Sequence, residues 1–188
     1  MAKTLPFVSY KDVLLLPRWN IIFSGSGYEV RGAIERAGLG AHFVTVRGDR
    51  TRGTIARVLH INEDPAMVQI DLEGTARADV TRVNGDGTAE VEELSEEPAD
   101  PALLADAHKA VDELFQESTK RRGPDGGRLF LGSAGAVNHM KSLDGVTFSF
   151  FWAIGALVKD EGRARLLDLE TNDRLRFIVE HVRRTLAG

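Results

Sequence analysis

The chain has 188 residues, 43% of them apolar, with 24 basic against 28 acidic side chains and a formal net charge of −4. That is enough apolar material to build a core in one large or two small domains, and it excludes a disordered chain. Cysteine is absent, which rules out disulfides, thiolate zinc sites and thiol catalysis together and fits a reducing cytoplasm.

In chain order, Leu5-Pro6-Phe7-Val8 predicts a short apolar strand and Lys11-Asp12 a break. Val13 to Leu16 predicts a second strand, stopped by Pro17. Trp19, Ile21, Ile22 and Phe23 form a bulky apolar cluster directly beside that turn. Gly25-Ser26-Gly27 permits the entry into a helix over Gly27–Ala37. His42 to Val46 and Thr54 to Ile61 are plausible strands. Met67 to Glu73 is the cleanest one, with Val68, Ile70 and Leu72 alternating against Gln69, Asp71 and Glu73. Gly74 is expected to break this run before Ala76 to Val83 continues it. Asn84-Gly85-Asp86-Gly87 is a hairpin signal returning into Thr88 to Leu94. Such a series of strands curls into a small barrel that covers its own edges.

The composition then changes. Glu90, Glu92, Glu93, Glu96, Glu97 and Asp100 surround Pro98 and read as an acidic linker or solvated edge. Asp100 and Pro101 are an N-cap and first helical residue. Leu103, Leu104, Ala107, Val111, Leu114 and Phe115 recur at helical spacing until Gly123-Pro124. Lys120-Arg121-Arg122, at the end of that helix, suits its dipole. Residues 126–141 are ambiguous between helix and extended chain. Ser142-Leu143-Asp144 starts a helix running to about Lys159. A last helix begins near Thr171, with Leu175, Ile178, Val179, Val182 and Leu186 on one face. The fold class is therefore α+β, with β-structure over 1–97 and helices over 98–188.

Residues 1–100 carry 11 basic and 16 acidic side chains, and 101–188 carry 13 and 12, so neither half has the basic surplus of a nucleic-acid surface. A signal peptide is not evident at the N-terminus. The longest apolar stretch, Val146 to Val158, falls short of the roughly 20 residues that span a bilayer. The expectation is a soluble, cytoplasmic protein with no membrane partner.

No motif for chemistry emerges. There is no P-loop, and Gly132-Ser133-Ala134-Gly135 lacks the lysine that would neutralise phosphates. His42, His60, His108, His139 and His181 are scattered singly, without the paired spacing of a metal site. No serine sits in a nucleophile elbow. The expectation is no catalytic residue, no cofactor and no metal. The candidates for contact with a partner are the aromatic and apolar residues beside the Pro17 turn, namely Trp19, Ile21 and Phe23, and those of the second helical segment. There Phe148, Phe151 and Trp152 would share a face at i, i+3 and i+4 while Phe150 points away. Core packing is the plainer role for each. Trp19, adjoining a turn, is the stronger candidate for exposure.

Several segments, in order and spacing, resemble the N-terminal domain of Lon proteases. Leu5-Pro6 with Asp12-Val13 and Pro17 resembles that family's "LPxxxxxDVxxxP" opening, and Ala33-Ile34-Glu35-Arg36-Ala37 its "AIExA" helix. Gly53 to Ile61 and Val68 to Ala78 resemble its "GTxAxIxxI" and "VxVLVEGxxRxxI" strands, with Gly74 and Arg77 in place. Leu166 to Leu175 is similar to "LLExxDxxERL". The resemblance departs at Arg18-Trp19-Asn20, where the family has a second proline and a glycine, and over 123–162. It implies a PUA-like β pseudo-barrel with one inserted helix, followed by an α-helical bundle. It further implies a non-catalytic module that recognises unfolded or degron-bearing polypeptides and supports hexamer assembly. A single-partner adaptor is the alternative. RNA binding is disfavoured by the acidic N-terminal half.

Overall fold

A computed structural model describes residues 2–10, 14–25, 38–64, 67–121, 133–156 and 158–188. The helix expected over Gly27–Ala37 lies outside the described residues. The chain divides into two compact units, Met1–Ser95 and Glu96–Gly188.

In the first unit, the described residues form strands β1 (Ala2–Tyr10), β2 (Asn20–Gly25), β3 (His42–Arg47), β4 (Arg52–Asp64), β5 (Met67–Val83) and β6 (Thr88–Glu93). They make one sheet in the order β2-β5-β4-β3-β1-β6, and β5 also pairs with β6, so the sheet closes on itself. Only β1 and β3 run parallel, with Phe7 opposite Val44; the other pairs are antiparallel. The long β5 makes closure possible. One edge pairs with β4, while the other takes β2 along its first half and β6 along its second. Alternation turns Val44 and Val46, Ala78 and Val80, and Ala89 and Val91 inward with Ile55, and Leu5 and Phe7 pack against them.

Two expectations are corrected here. Leu14 to Leu16 is not a strand, although Leu15 and Leu16 are buried; the strand lies beyond the proline, at β2. Leu15 contributes its carbonyl instead, which accepts a hydrogen bond from the buried Thr54 hydroxyl at 2.7 Å. Nor does Gly74 break β5. A Cβ built there would lie 2.2 Å from the Leu16 carbonyl oxygen, so glycine is required for the close approach of the 16–19 turn.

The second unit contains, among the described residues, helices α1 (Pro101–Lys120), α2 (Ala134–Lys141), α3 (Gly145–Gly155), α4 (Asp160–Asp168) and α5 (Thr171–Ala187). Asp100, Ser133 and Asp144 cap the first three, each accepting from a backbone N–H of the first turn. Helix α3 ends at Gly155 rather than near Lys159, and α4 is a separate helix that the hydropathy pattern hid. Both α1 and α3 pack on α5, around Val111, Leu114, Phe148, Phe150, Trp152, Leu166, Leu175 and Ile178.

The acidic segment is largely solvated, as a linker or solvated edge should be, with Glu92, Glu93, Glu97 and Asp100 exposed, but its last carboxylates also make specific contacts. Asp100 caps α1, Glu97 accepts from the Asn172 N–H at 3.0 Å, and Glu96 accepts from the Thr171 hydroxyl at 3.1 Å. The Glu96 and Glu97 carboxylates tie the start of the second unit to the N-terminus of α5, where negative charge also suits the helix dipole.

Candidate functional site

The turn before β2 governs what the first unit presents. The Trp19 N–H donates to the Leu16 carbonyl at 3.2 Å, with Pro17 and Arg18 in the central positions. Arg18 has φ 67°, the left-handed value that the third residue of a type II turn demands. The Arg18 N–H donates to Gly74 O at 2.7 Å, and the Gly74 N–H to Trp19 O at 2.9 Å, locking the turn onto β5. This swings the Trp19 ring inward to 7% exposure. The expected exposure of Trp19 is thereby corrected: turn adjacency did not keep it at the surface, because the turn itself is docked.

The neighbouring candidates divide by strand alternation. Ile21 lies opposite Leu72 and is half-buried. Phe23 pairs through its backbone with Ile70; its side chain lies outside the described residues. Ile22, between them, is the exposed one, at 68%. It lies opposite Asp71, which lies opposite His60 on β4, and cross-strand neighbours share a face. Leu59, next to His60, sits at a register shift between Val58 and His60 and is 41% exposed. The Gly40 N–H donates to Val58 O, and the Val58 N–H to Ala41 O, so the 38–41 segment lies along this part of β4. Leu39, between two glycines of positive φ, is 67% exposed. Among the described residues of this unit, the exposed large apolar side chains are Ile22, Leu39 and Leu59 here and Val83, 54% exposed, at the end of β5. None of Ile22, Leu39 and Leu59 is among the expected contact residues Trp19, Ile21 and Phe23, although Ile22 belongs to the same apolar cluster; the Gly38-Leu39-Gly40 bracket is the local signal for a displayed leucine.

A cavity of about 350 Å³ lies elsewhere in the same unit, lined by Lys3, Leu5, His42, Ile55, Thr75, Ala76 and Glu93. Leu5, Ile55 and Ala76 give it an apolar floor. At its rim Lys3 Nζ lies 2.5 Å from Glu93 Oε2, so the two charges neutralise each other. The Thr75 hydroxyl donates to Ile55 O at 3.0 Å. Nearby on the outer face, Arg57 grips Glu73 through Nη2 at 2.5 Å and Nε at 3.1 Å.

In the second unit, Phe148 and Trp152 are fully buried, as is Phe150. Both sides of the expected division, a Phe148-Phe151-Trp152 face and an opposite Phe150, are covered, because α3 is enclosed on almost all sides, so Phe148, Phe150 and Trp152 take the plainer role of core packing. Phe151 is half-buried and shares a helical face with Ile154, which is exposed. The Trp152 ring meets Phe177 and His181 at centroid distances of 6.1 and 5.3 Å. Burial holds the His181 imidazole below its ordinary pKa, helped by Arg184. His108, edge-on to Phe148 at 4.5 Å, is lowered by burial and by Lys141, against the opposing pull of Asp112.

Among the described residues no cluster of three or more His, Cys, Asp or Glu could hold a metal ion, and no helix is long and apolar enough to cross a membrane. Ser133, the described serine of the Gly132-to-Gly135 cluster, serves as the cap of α2, accepting from the Ala136 N–H at 3.3 Å.

No protein-family profile and no curated protein matches the chain by sequence. Solved structures do match it in fold. The N-terminal domain of a Mycobacterium avium complex Lon protease aligns at a TM-score of 0.74 and 18% identity, covering 96% of this chain and 98% of that one. A Lon N-terminal domain protein from Xanthomonas campestris aligns at a TM-score of 0.61 and 17% identity, covering 95% and 98%. The chain has the fold of Lon N-terminal domains, and at that level the resemblance read from its sequence is borne out.

Proposed function

We propose that this chain is a non-catalytic recognition module of the Lon N-terminal type, which captures exposed apolar segments of unfolded or degron-bearing polypeptides. The observation that carries the reading is the fold, shared with Lon N-terminal domains along nearly the whole of both chains. The display of Ile22, Leu39 and Leu59 on one strand-and-loop surface, and of Ile154 beside Phe151, adds apolar area of the kind that marks interaction sites. Capture by one copy is weak, with Kd roughly micromolar or above. Assembly into a homo-oligomer, a hexamer in the Lon arrangement, multiplies it by presenting several such surfaces to one client.

The test is photo-crosslinking to reduced, carboxymethylated α-lactalbumin, a permanently unfolded probe. The expected result is strong crosslinking to this probe, little to native α-lactalbumin, and a several-fold loss in an Ile22→Asp, Leu39→Asp, Leu59→Asp triple variant. Labelling no greater than that of an unrelated acidic domain overturns the reading. Capture of one folded partner at fixed stoichiometry, with no unfolded clients, turns it into the adaptor role.

A further inference from the structure

We propose that the opening where β1 parts from β3, above the Leu5-Ile55-Ala76 floor, binds a single extended, uncharged polypeptide strand and takes one large apolar side chain into the cavity. This adds a strand-binding opening, separate from the Ile22, Leu39 and Leu59 surface, to the recognition proposed above, and rests on that reading.

The opening has a cause in the sequence. The Phe7 N–H donates to Gly87 O at 2.9 Å, so it faces β6. Backbone groups alternate along a strand, which turns those of Thr4 and Pro6 toward the opposite edge, the one that faces β3. Pro6 has no N–H to offer there. The β1–β3 ladder accordingly begins only at Phe7 opposite Val44, whereas β1 pairs with β6 from Ala2 onward. Continued in register, the ladder would have set Leu5 and Pro6 beside His42 and Phe43. Among the described residues no strand pairs with that edge of Ala2–Leu5; at Pro6 only the carbonyl serves the ladder to Val44. A hydrogen-bonding edge at Thr4 therefore borders the cavity, whose walls reach from β1 to His42 on β3.

The occupant follows from the chemistry of the walls. A strand edge recognises extended main chain and pays little regard to sequence. The floor is apolar, and about 350 Å³ is room for one large side chain rather than for a folded element. Lys3 and Glu93 cancel at the rim, so no net charge draws an acidic or a basic segment. A neutral stretch rich in Val, Ile or Phe meets all three conditions.

The test is fluorescence anisotropy of fluorescein-labelled Ser-Thr-Val-Phe-Val-Thr-Ser amide with the whole chain, alongside the carboxymethylated α-lactalbumin probe. Ala76→Leu fills the floor, and Pro6→Ala restores an N–H that lets β1 zip onward along β3. The expected result is a Kd at least tenfold higher in Ala76→Leu and several-fold higher in Pro6→Ala, with far-UV circular dichroism unchanged. Affinity for the peptide is retained in the Ile22, Leu39, Leu59 triple variant. Should Ala76→Leu fail to fold, Pro6→Ala and peptide-induced amide shifts in the unaltered protein, expected at Thr4, His42 and Ala76, carry the decision. If α-lactalbumin binds while the peptide does not, or if the peptide binds both variants as tightly as wild type, the opening is not the site and polypeptide recognition stands. If neither probe binds, recognition itself fails and takes this proposal with it.

Discussion

Arg174 and Glu96 form the central polar pair of the second unit: Arg174 Nη2 lies 2.5 Å from Glu96 Oε2, and the guanidinium is fully buried. Every arm of the cation is used. Its Nε donates to the Ser149 hydroxyl at 2.8 Å, Nη1 to Leu169 O at 2.6 Å, and Nη2 also to the Thr171 hydroxyl at 3.0 Å. The planar group also stacks over Phe150 at 4.1 Å. One side chain thus joins the unit's first residue, α3, the α4–α5 connection and the start of α5. A buried charge is tolerated only when satisfied in this way.

Arg174→Leu leaves Glu96 without its cation and should cost about 3 kcal/mol of second-unit stability. Glu96→Gln keeps a hydrogen-bond acceptor but strips the fully buried guanidinium of its counter-charge, and should cost about 4 kcal/mol. Arg174→Lys should resemble the leucine variant more than wild type, because an ammonium cannot reproduce the planar fork. Urea unfolding followed by circular dichroism checks the order of the three.

The second unit should also lose stability on mild acidification. Burial, as the largest cause, lowers the imidazole pKa of both His181 and His108 in the folded state. The unfolded chain, with ordinary imidazoles near about 6.5, then takes up protons first, so stability is full above that pH. It falls as pH drops through the unfolded value and levels off below the lowered folded one. Urea midpoints between pH 7.5 and 5 should decline, and His108→Gln with His181→Gln should flatten the profile. A profile that rises toward pH 5 would contradict the assignment.

Gly74→Ala should destabilise the first unit by at least about 2 kcal/mol, since the added methyl collides with backbone rather than with a movable side chain. Hydrogen exchange should show β2 and the first half of β5, with which it pairs, losing protection, while the helices of the second unit keep theirs. Equal loss in both units would mean that the effect is not local to the turn.

Arg18 offers the opposite sign. A non-glycine residue at φ 67° carries about 1 kcal/mol of strain. Arg18→Gly relieves it and should be neutral or stabilising by up to about 1 kcal/mol, once the added freedom of the unfolded chain is subtracted. Arg18→Pro cannot reach that φ and also removes the N–H given to Gly74, so it should unfold the first unit. Thermal melts of the two variants separate these outcomes.

Much of the architecture was legible in the sequence because local chemistry agreed with it. Asp100-Pro101 opened α1, Asp144 opened α3, alternation marked the first half of β5, and the Asn84-to-Gly87 turn signal marked the return into β6. Failures arose where a distant contact overruled a local signal. Gly74 looks like a strand breaker until the Leu16 carbonyl is placed against it. Trp19 looks exposed until its turn is docked on β5. Glu96 looks solvated until Arg174, far along the chain, reaches it. The outer apolar surface was harder still, since the display of Leu59 depends on a register shift that no local pattern encodes.

The burial of Trp19 in the first unit and Trp152 in the second has a practical consequence. The chain contains 2 tryptophans, so each unit holds its own intrinsic emitter in a dry environment. Trp19→Phe leaves emission that reports on the helical unit alone, and Trp152→Phe leaves emission that reports on the β unit alone. Comparing the two melts decides whether the units unfold as one cooperative body or as two. With no native cysteine present, a single introduced thiol can then carry a label beside either emitter.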